Sequence, residues 1–544
     1  MAQPPIICRV RGLLSLLCFA VPAVAQVEVP AARSEGKLDQ GLKKPNGFVA
    51  VFARMQDQLF AEGGDYERFC AAQPEAAKRL DIRERTVRDL KQRSDRSFAA
   101  VRERVERLVE AGLLRGIQRY WVVNGFACEA TEAGCRALAK LVQVGFVYRQ
   151  RYGPQHALEG SGRHQEDQRL TGLYRRLLAN AADDRDDPWD SSALRVPWNL
   201  KAVGADRAWA EQGVAGRGVV IAVLDDGMMT VPALLPALWR NQGEELNGKD
   251  DDGNGYVDDI FGYDFRSNSP YSVTETGHRH GTLCAGIIAA RPTRGEDPMA
   301  TSVAPRAQIM PLIGSGQLRA YEYAVDHGAD VLSMSYTLEP VKMGQYRGLY
   351  RLAHEHLAAA GVLSVGGAGN YAKRRPVGTQ IGSPKDIPCV IAASGVGKRG
   401  AVSSFSSRGP VSWQGIRYYG QRDPRSPVMS KPDVTACNAD FPMWTRREVW
   451  TGARAKRIQE VVHEDGAGYL FATGPRGNSF AGPHVAGVAA LMLEANPNLP
   501  VWELKRLLES TCQDMGEPGR DVAYGAGMMQ ADKAVAAARA WTGK

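Results

Sequence analysis

From Phe98 onward the apolar residues Val101, Val105, Leu108 and Val109 recur at helical spacing, and Gly112 ends the run. A charged helical stretch precedes it, from about Glu75 to Lys91. Strand patterns surround these helices. Phe48 to Phe52 is a short apolar block, 117–128 is rich in aromatic and β-branched residues, and 142–148 reads as a last strand. Thr131 stands where its hydroxyl can cap a short helix carrying Cys135, Leu138 and Leu141. Helices interleaved with strands predict a small α+β unit. The charged run ADDRDDPWD at 182–190 then reads as solvated linker.

From Val196 the pattern changes. Residues 218–224, GVVIAVL, form a near-continuous apolar strand, and Val331 to Met334 and Val362 to Val365 form others, each after a helical segment. Buried strands alternating with helices predict an α/β architecture, a mostly parallel sheet flanked by helices. Chemistry in such sheets gathers at the carboxyl ends of the strands.

Ahead of both units, Arg9 and Arg11 precede the apolar run Leu13 to Ala20, and Ala23-Val24-Ala25 follows. This is the layout of a signal peptide over 1–25, too short to act as a stable membrane anchor. It predicts an exported protein, secreted or periplasmic. At 44% hydrophobic and 24% charged residues, the 544-residue chain can bury a large core. That composition excludes fibrous, disordered and multi-span membrane classes. A net charge of +8 is mild at this length and gives no argument for nucleic-acid binding. Outside the leader, Cys70, Cys128 and Cys135 precede residue 190, and Cys284, Cys389, Cys437 and Cys512 follow it. The downstream four allow several disulfide pairings, and buried unpaired thiols fit as well.

Three polar groups occupy predicted strand ends or helix starts. Asp225 ends the first strand, in VLDDG; His280 stands in HGTLCAG; Ser479 stands in GNSFAGPHVAG and opens the apolar helix Val485 to Leu493. A serine hydroxyl becomes a useful nucleophile when an imidazole takes its proton, and the imidazole needs a carboxylate to fix its tautomer. Small residues around Ser479 (Gly477, Ala481, Gly482) suggest room for a substrate backbone. Chain order excludes two architectures. An α/β-hydrolase elbow would read G-x-S-x-G and run Ser, acid, His, and a chymotrypsin-like chain would run His, Asp, Ser. The order here is Asp, His, Ser.

With these three blocks the chain resembles a subtilase, a subtilisin-like serine peptidase. Further matching blocks are RVPWNLKAVGADRAW, SVAPRAQIMPL, GADVLSMSY, VGGAGN, SSFSSRGP, KPDVTA and YGAGMMQADKAV, together covering about 196–540. WVVNGFACEATEAGCRALAKL resembles a subtilase inhibitor-type propeptide. The resemblance implies a signal peptide at 1–25, a propeptide domain at 26–150, a charged linker with the maturation site at 151–195 and a peptidase domain at 196–544. It implies a self-processed serine endopeptidase acting on polypeptides, inhibited by its own propeptide and monomeric. The alternative is a catalytically weak or inactive subtilase-fold binding protein.

The resemblance also assigns Asn370 as the side-chain donor to the oxyanion. Ser335 and Tyr336 become part of an edge that pairs with substrate backbone. Gly382 becomes the floor of a roomy, uncharged pocket. Departures accompany it. Asn478 replaces the usual Thr before the nucleophile and keeps a donor there. Cys437-Asn438 stands where Pro-Gly is usual, and 441–470 is a surface insertion carrying Arg446, Arg447, Arg454 and Lys456. Asp226 and Cys284 echo the kexin-like branch.

A second constellation is DDDGNGYVDD at 250–259. Oxygen ligands at Asp250, Asp252 and Asn254, with Gly255 sixth and Asp258 beyond, match the start of an EF-hand-type loop, although Phe261 stands where Glu is expected. Structural Ca²⁺ is therefore a candidate cofactor, against an Asx-rich turn held by its own backbone. His354-Glu355-His356 lacks zinc spacing and reads as surface.

Overall fold

The structure, a computed structural model, describes residues 37–39, 42, 47–74, 77–150, 163–179, 190–293, 298–416, 428–463, 466–471 and 474–543. The leader expected at 1–25 lies outside these residues, as do 151–162 and 180–189 of the expected linker.

The N-terminal unit runs β1 (Val49–Met55), α1 (Asp65–Ala71), α2 (Arg79–Ala99), α3 (Arg102–Glu110), β2 (Leu114–Tyr120), β3 (Gly125–Ala130), α4 (Glu132–Lys140) and β4 (Val144–Arg149). Its four strands form an antiparallel sheet in the order β2-β3-β1-β4. Alternate side chains serve different cores. Val51, Ala53 and Val147 pack with Val105 of α3 and Leu138 of α4. Phe52, Phe146 and Tyr148 point the other way, into the core of the second unit. Thr131 caps α4 by accepting the Gly134 N–H at 3.1 Å.

The single strand expected over 117–128 is a hairpin. Its turn holds Val122 and Val123, both fully buried, and Asn124 at a φ of 28°. An apolar turn has the composition of a strand, and only its burial against the second unit explains that composition.

The second unit is built on seven parallel strands: β5 (Val220–Asp225), β6 (Tyr263–Asp264), β7 (Gln308–Ile313), β8 (Val331–Met334), β9 (Leu363–Gly367), β10 (Ile391–Val396) and β11 (Val434–Cys437). Their order is β11-β10-β9-β8-β5-β7-β6. Asp225, Ser335 and Asn370 thus follow from three neighbouring strands, at the carboxyl ends of β5, β8 and β9. The stretch 163–179, expected as linker, is a helix, α5 (Arg163–Ala179). Its Tyr174 hydroxyl donates to Pro270 O at 3.0 Å and accepts the Ser272 N–H at 3.1 Å.

The two units share polar contacts as well as a core. Arg79 pairs with Asp330 at 2.8 Å, the side chains 5% and 10% exposed, and also donates to the Gly361 and Pro497 carbonyls. Glu322 accepts the Trp121 N–H at 2.5 Å and the Val122 N–H at 2.9 Å. The helix Tyr346–Ala359 is buried on every side between sheet and N-terminal unit. This corrects the surface reading of His354-Glu355-His356. His354 bonds Ser364 at 2.9 Å, and His356 Nδ1 donates to Val122 O at 2.6 Å. Burial pushes the His356 pKa down to about 4, so the ring stays neutral.

Removing one partner of a buried ion pair leaves an uncompensated charge. Arg79→Ala in the intact chain is expected to cost about 3–5 kcal/mol. Thermal unfolding of the uncut chain checks this; an unchanged melting temperature contradicts it.

Candidate active site

Asp225 is the last residue of β5, and the turn Asp226-Gly227 follows it. The helix α6 (Arg279–Ala289) starts against that turn. The Asp226 carboxylate accepts the Gly281 N–H at 2.7 Å and the His280 N–H at 3.3 Å, satisfying donors that a helix start leaves free. A Cβ on Gly281 would lie 2.1 Å from Gly227 O, so only glycine permits this approach. The imidazole of His280 is thereby delivered to Asp225, with Nδ1 at 2.8 Å and 3.0 Å from its two oxygens. A carboxylate accepts, so Nδ1 carries the proton and Nε2 is the basic atom.

Burial disfavours charge on His280. The neighbouring Cys284 and Asp225 act the other way and prevail, raising its pKa above the ordinary histidine value. Cys284 has this effect only as thiolate, and burial raises the pKa of that thiol. At neutral pH the lift therefore comes from Asp225.

Ser479 sits in the single turn Asn478–Phe480 that leads into α7 (Ala481–Ala495). Its carbonyl accepts the Ser335 hydroxyl at 2.8 Å and the Cys284 thiol at 3.6 Å. Cys284 Sγ is in turn 4.0 Å from His280 Nδ1, and the Phe480 ring lies 5.9 Å from the His280 ring. Asn370 is exposed at the end of the loop after β9. Its Oδ1 accepts the Asn478 N–H at 2.9 Å. A backbone N–H only donates, so the amide orientation is fixed and Nδ2 is the free donor. Asp225, His280, Ser479 and Asn370 are thus linked by short steps, through Cys284 between His280 and the Ser479 carbonyl and through Asn478 between Asn370 and Ser479.

Comparisons with known proteins identify the family. The subtilase family profile matches residues 216–527. The chain belongs to the subtilase family. It is 27% identical to fervidolysin of Fervidobacterium pennivorans over 359 residues, covering 62% of this chain and 43% of that protein. It is 26% identical to the thermostable alkaline protease of Halalkalibacterium halodurans over 350 residues, covering 62% of this chain and 73% of that one. This subtilase thus spans less than half of fervidolysin's length. The crystal structure of fervidolysin, a keratinolytic enzyme related to subtilisin, overlays with a TM-score of 0.50 at 18% identity, over 90% of this chain and 61% of that one.

Other features of this subtilase differ from expectation. Gly482 does not open the site to substrate. A Cβ there would meet Gly367 N at 2.7 Å, so the glycines pack α7 onto β9. On one side of Gly382 a Cβ would lie 2.4 Å from Thr337 Cγ2 and 2.6 Å from Leu338 O. The glycine permits two segments to touch, with Leu338 and Ser383 exchanging backbone hydrogen bonds at 2.8 Å and 3.1 Å. The Tyr336 carbonyl accepts the buried Lys385 ammonium, while its hydroxyl is 2.7 Å from that of Tyr321. Along extended chain the carbonyls alternate, which leaves those of Ser335 and Thr337 on the other side.

Asn478 offers no spare donor. Both its amide hydrogens are used, to Gly369 O at 2.9 Å and Ser406 Oγ at 2.8 Å. The insertion contains a three-stranded sheet of β12 (Met443–Thr445), β13 (Ile458–His463) and β14 (Gly466–Phe471). Trp444 within it is fully buried and donates to Thr301 Oγ1 at 2.8 Å. The Trp450 ring lies 5.8 Å from the Arg279 guanidinium and 5.4 Å from that of Arg454.

In the acidic loop, Asp250 and Asp252 meet Glu244, their oxygens within 4.8 Å of one another. Glu244, buried and outside the motif, carried no sequence signal. It also accepts the Asp251 N–H at 2.7 Å and the Asp258 N–H at 3.0 Å. The other expected ligands face elsewhere. Asp258 accepts the Asn247 and Gly248 N–H groups, at 2.8 Å and 2.9 Å, and the Asn254 amide oxygen accepts the Tyr256 N–H at 2.7 Å. An all-oxygen carboxylate set suits a hard divalent cation.

If Asp225 sets the charge on His280, NMR titration of its ring in Ser479→Ala protein will give a raised pKa. Asp225→Asn should lower that value and Cys284→Ala should leave it in place. A value insensitive to Asp225→Asn contradicts this account.

Proposed function

We propose that this chain is the precursor of an exported serine endopeptidase that cuts itself free of its N-terminal unit. The observation that carries this reading is the Asp225–His280 bond, 2.8 Å long, formed where Ser479 and Asn370 also converge. Ser479 Oγ forms the bond to the scissile carbonyl carbon, and its proton passes to His280 Nε2. The carbonyl electron pair moves onto oxygen, where Asn370 Nδ2 and the Ser479 N–H receive it. Collapse of this intermediate breaks the C–N bond, and the departing amine takes the proton from His280. Water then attacks the acyl-enzyme, gives its proton to His280 and restores Ser479. Asp225 stays ionised and holds the ring. The relatives, an alkaline protease among them, support a peptidase over a binding protein.

The N-terminal unit is read as a propeptide. A parallel sheet nucleates slowly, because distant strands must meet before burial offsets lost chain entropy. A folded partner surface supplies a template. Peptidases act on extended chain, so α5 resists cutting, and self-cleavage belongs in 150–162 or 180–195. The 1–25 segment supplies export. No helix among the described residues is long and apolar enough to cross a membrane.

Ser479→Ala is expected to lower casein turnover by about 10⁶ and to leave the chain uncut. Edman sequencing of the active wild type should place its first residue after 150. Proteolysis by Ser479→Ala, or a fully active wild type beginning near Gln26, contradicts the reading.

Calcium belongs to the same proposal. Glu244, Asp250 and Asp252 would hold Ca²⁺ and brace the loop before β6 without entering the chemistry. Chelator is expected to lower the melting temperature, and Asp252→Ala to lower it alone and blunt the chelator's effect. An unchanged melting temperature in excess chelator removes the site.

A further inference from the structure

Two departures from the subtilase pattern lie far apart in sequence, at Asn438 and Asn478, and they meet in the structure. Both residues are fully buried. Asn438 Nδ2 donates to Asn478 Oδ1 at 2.7 Å. The Asn438 backbone carbonyl accepts the Gly477 N–H at 3.0 Å. Asn438 therefore holds both residues that precede the nucleophile. Asn478 Oδ1 only accepts, so the Asn438 amide orientation is fixed by that bond, and its own Oδ1 accepts the Ser403 hydroxyl at 2.9 Å.

The arrangement reaches the oxyanion donors by short steps. With its two hydrogens committed to Gly369 O and Ser406 Oγ, the Asn478 amide can present only oxygen to Asn438. The Asn478 backbone N–H donates to Asn370 Oδ1, which aims Asn370 Nδ2. The next N–H along the chain is that of Ser479. A glycine makes room for the pair: a Cβ on Gly395 would lie 2.1 Å from Asn438 Nδ2 and 2.2 Å from Asn478 Oδ1. Three positions are thus fitted to one another. A threonine at 478 is shorter and would leave the Asn438 amide without its acceptor. A glycine at 438 would leave the Asn478 oxygen buried and unpaired, which is unfavourable in a dry interior.

We propose that Asn438 is a positioning residue of this peptidase, which locks the Asn478 amide and thereby holds Asn370 Nδ2 and the Ser479 N–H on the developing oxyanion. The inference rests on the serine-peptidase reading above.

The test is steady-state kinetics of the processed enzyme on the best peptide anilide found for wild type. Asn438→Ala and Asn478→Thr are each expected to lower kcat by about 10–100-fold, with KM within about twofold of wild type, because only the charged transition state uses the donors. The double variant Asn438→Gly with Asn478→Thr should recover most of the lost kcat. Circular dichroism and melting establish that each variant is folded. Should Asn438→Ala not fold, Asn438→Asp keeps the volume, lacks the amide donor and is expected to show the same kcat loss. A kcat for the Asn438 variant within twofold of wild type overturns the proposal. So does a double variant no better than the worse single one, which would make the two positions independent. Wild-type protein without peptidase activity overturns the serine-peptidase reading instead.

Discussion

The Asp225–His280 hydrogen bond is the interaction on which the site depends. An imidazole free to rotate, or protonated on the wrong nitrogen, cannot serve as base to Ser479. The fold holds this bond by three constraints. Asp225 is carried at the end of a central strand. Asp226 pins the first N–H groups of the helix that bears His280. Gly281 allows that helix to sit directly on the turn after Asp225. The same logic serves the nucleophile, whose turn is tied to Ser335, Asn370 and Asn438 rather than left as a loop. The four groups therefore come from different parts of the chain: Asp225 from a strand end, Asn370 from the loop after a neighbouring strand, and His280 and Ser479 from the starts of two helices.

The N-terminal unit shares a core with this scaffold. Its sheet is apolar on both faces, with one face covered by its own α3 and α4 and the other by the second unit. Buried ionisable groups cross the boundary, including the Arg79–Asp330 pair and the Glu322 carboxyl beneath the Trp121 and Val122 amides. Burial pushes Glu322 up to about 8, with the two amide bonds acting against it. Such groups are costly to bury without partners, so they select one docked arrangement.

Much of this was legible beforehand, for physical reasons. Apolar strands alternating with helices announce the sheet, and Asp, His, Asn and Ser at strand ends and helix starts mark where polar groups gather. Thr131 is a local cap, and its hydrogen bond follows from local geometry. What stayed hidden depends on tertiary contact. Val122 and Val123 look like strand because they are buried in an interface. His354 and His356 look like surface because the helix pattern does not reveal a second layer. Glu244 lies outside the acidic motif it joins. Asn478 reads as a spare donor, when its hydrogens are already committed. Asp225, His280, Asn370 and Ser479 stood out one by one in the sequence; the hydrogen bonds that tie them to Asp226, Ser335 and Asn438 did not.

The central claim is that Asp225, His280 and Ser479 act as one unit on a polypeptide substrate. The most direct measurement is labelling of the intact protein by a fluorophosphonate, with the modified peptide identified by mass spectrometry. The account predicts a single adduct on Ser479, formed rapidly in wild type and slowed by orders of magnitude in His280→Ala and Asp225→Ala. Absence of labelling in folded wild-type protein, or labelling of Ser479 at an unchanged rate without His280, would contradict it.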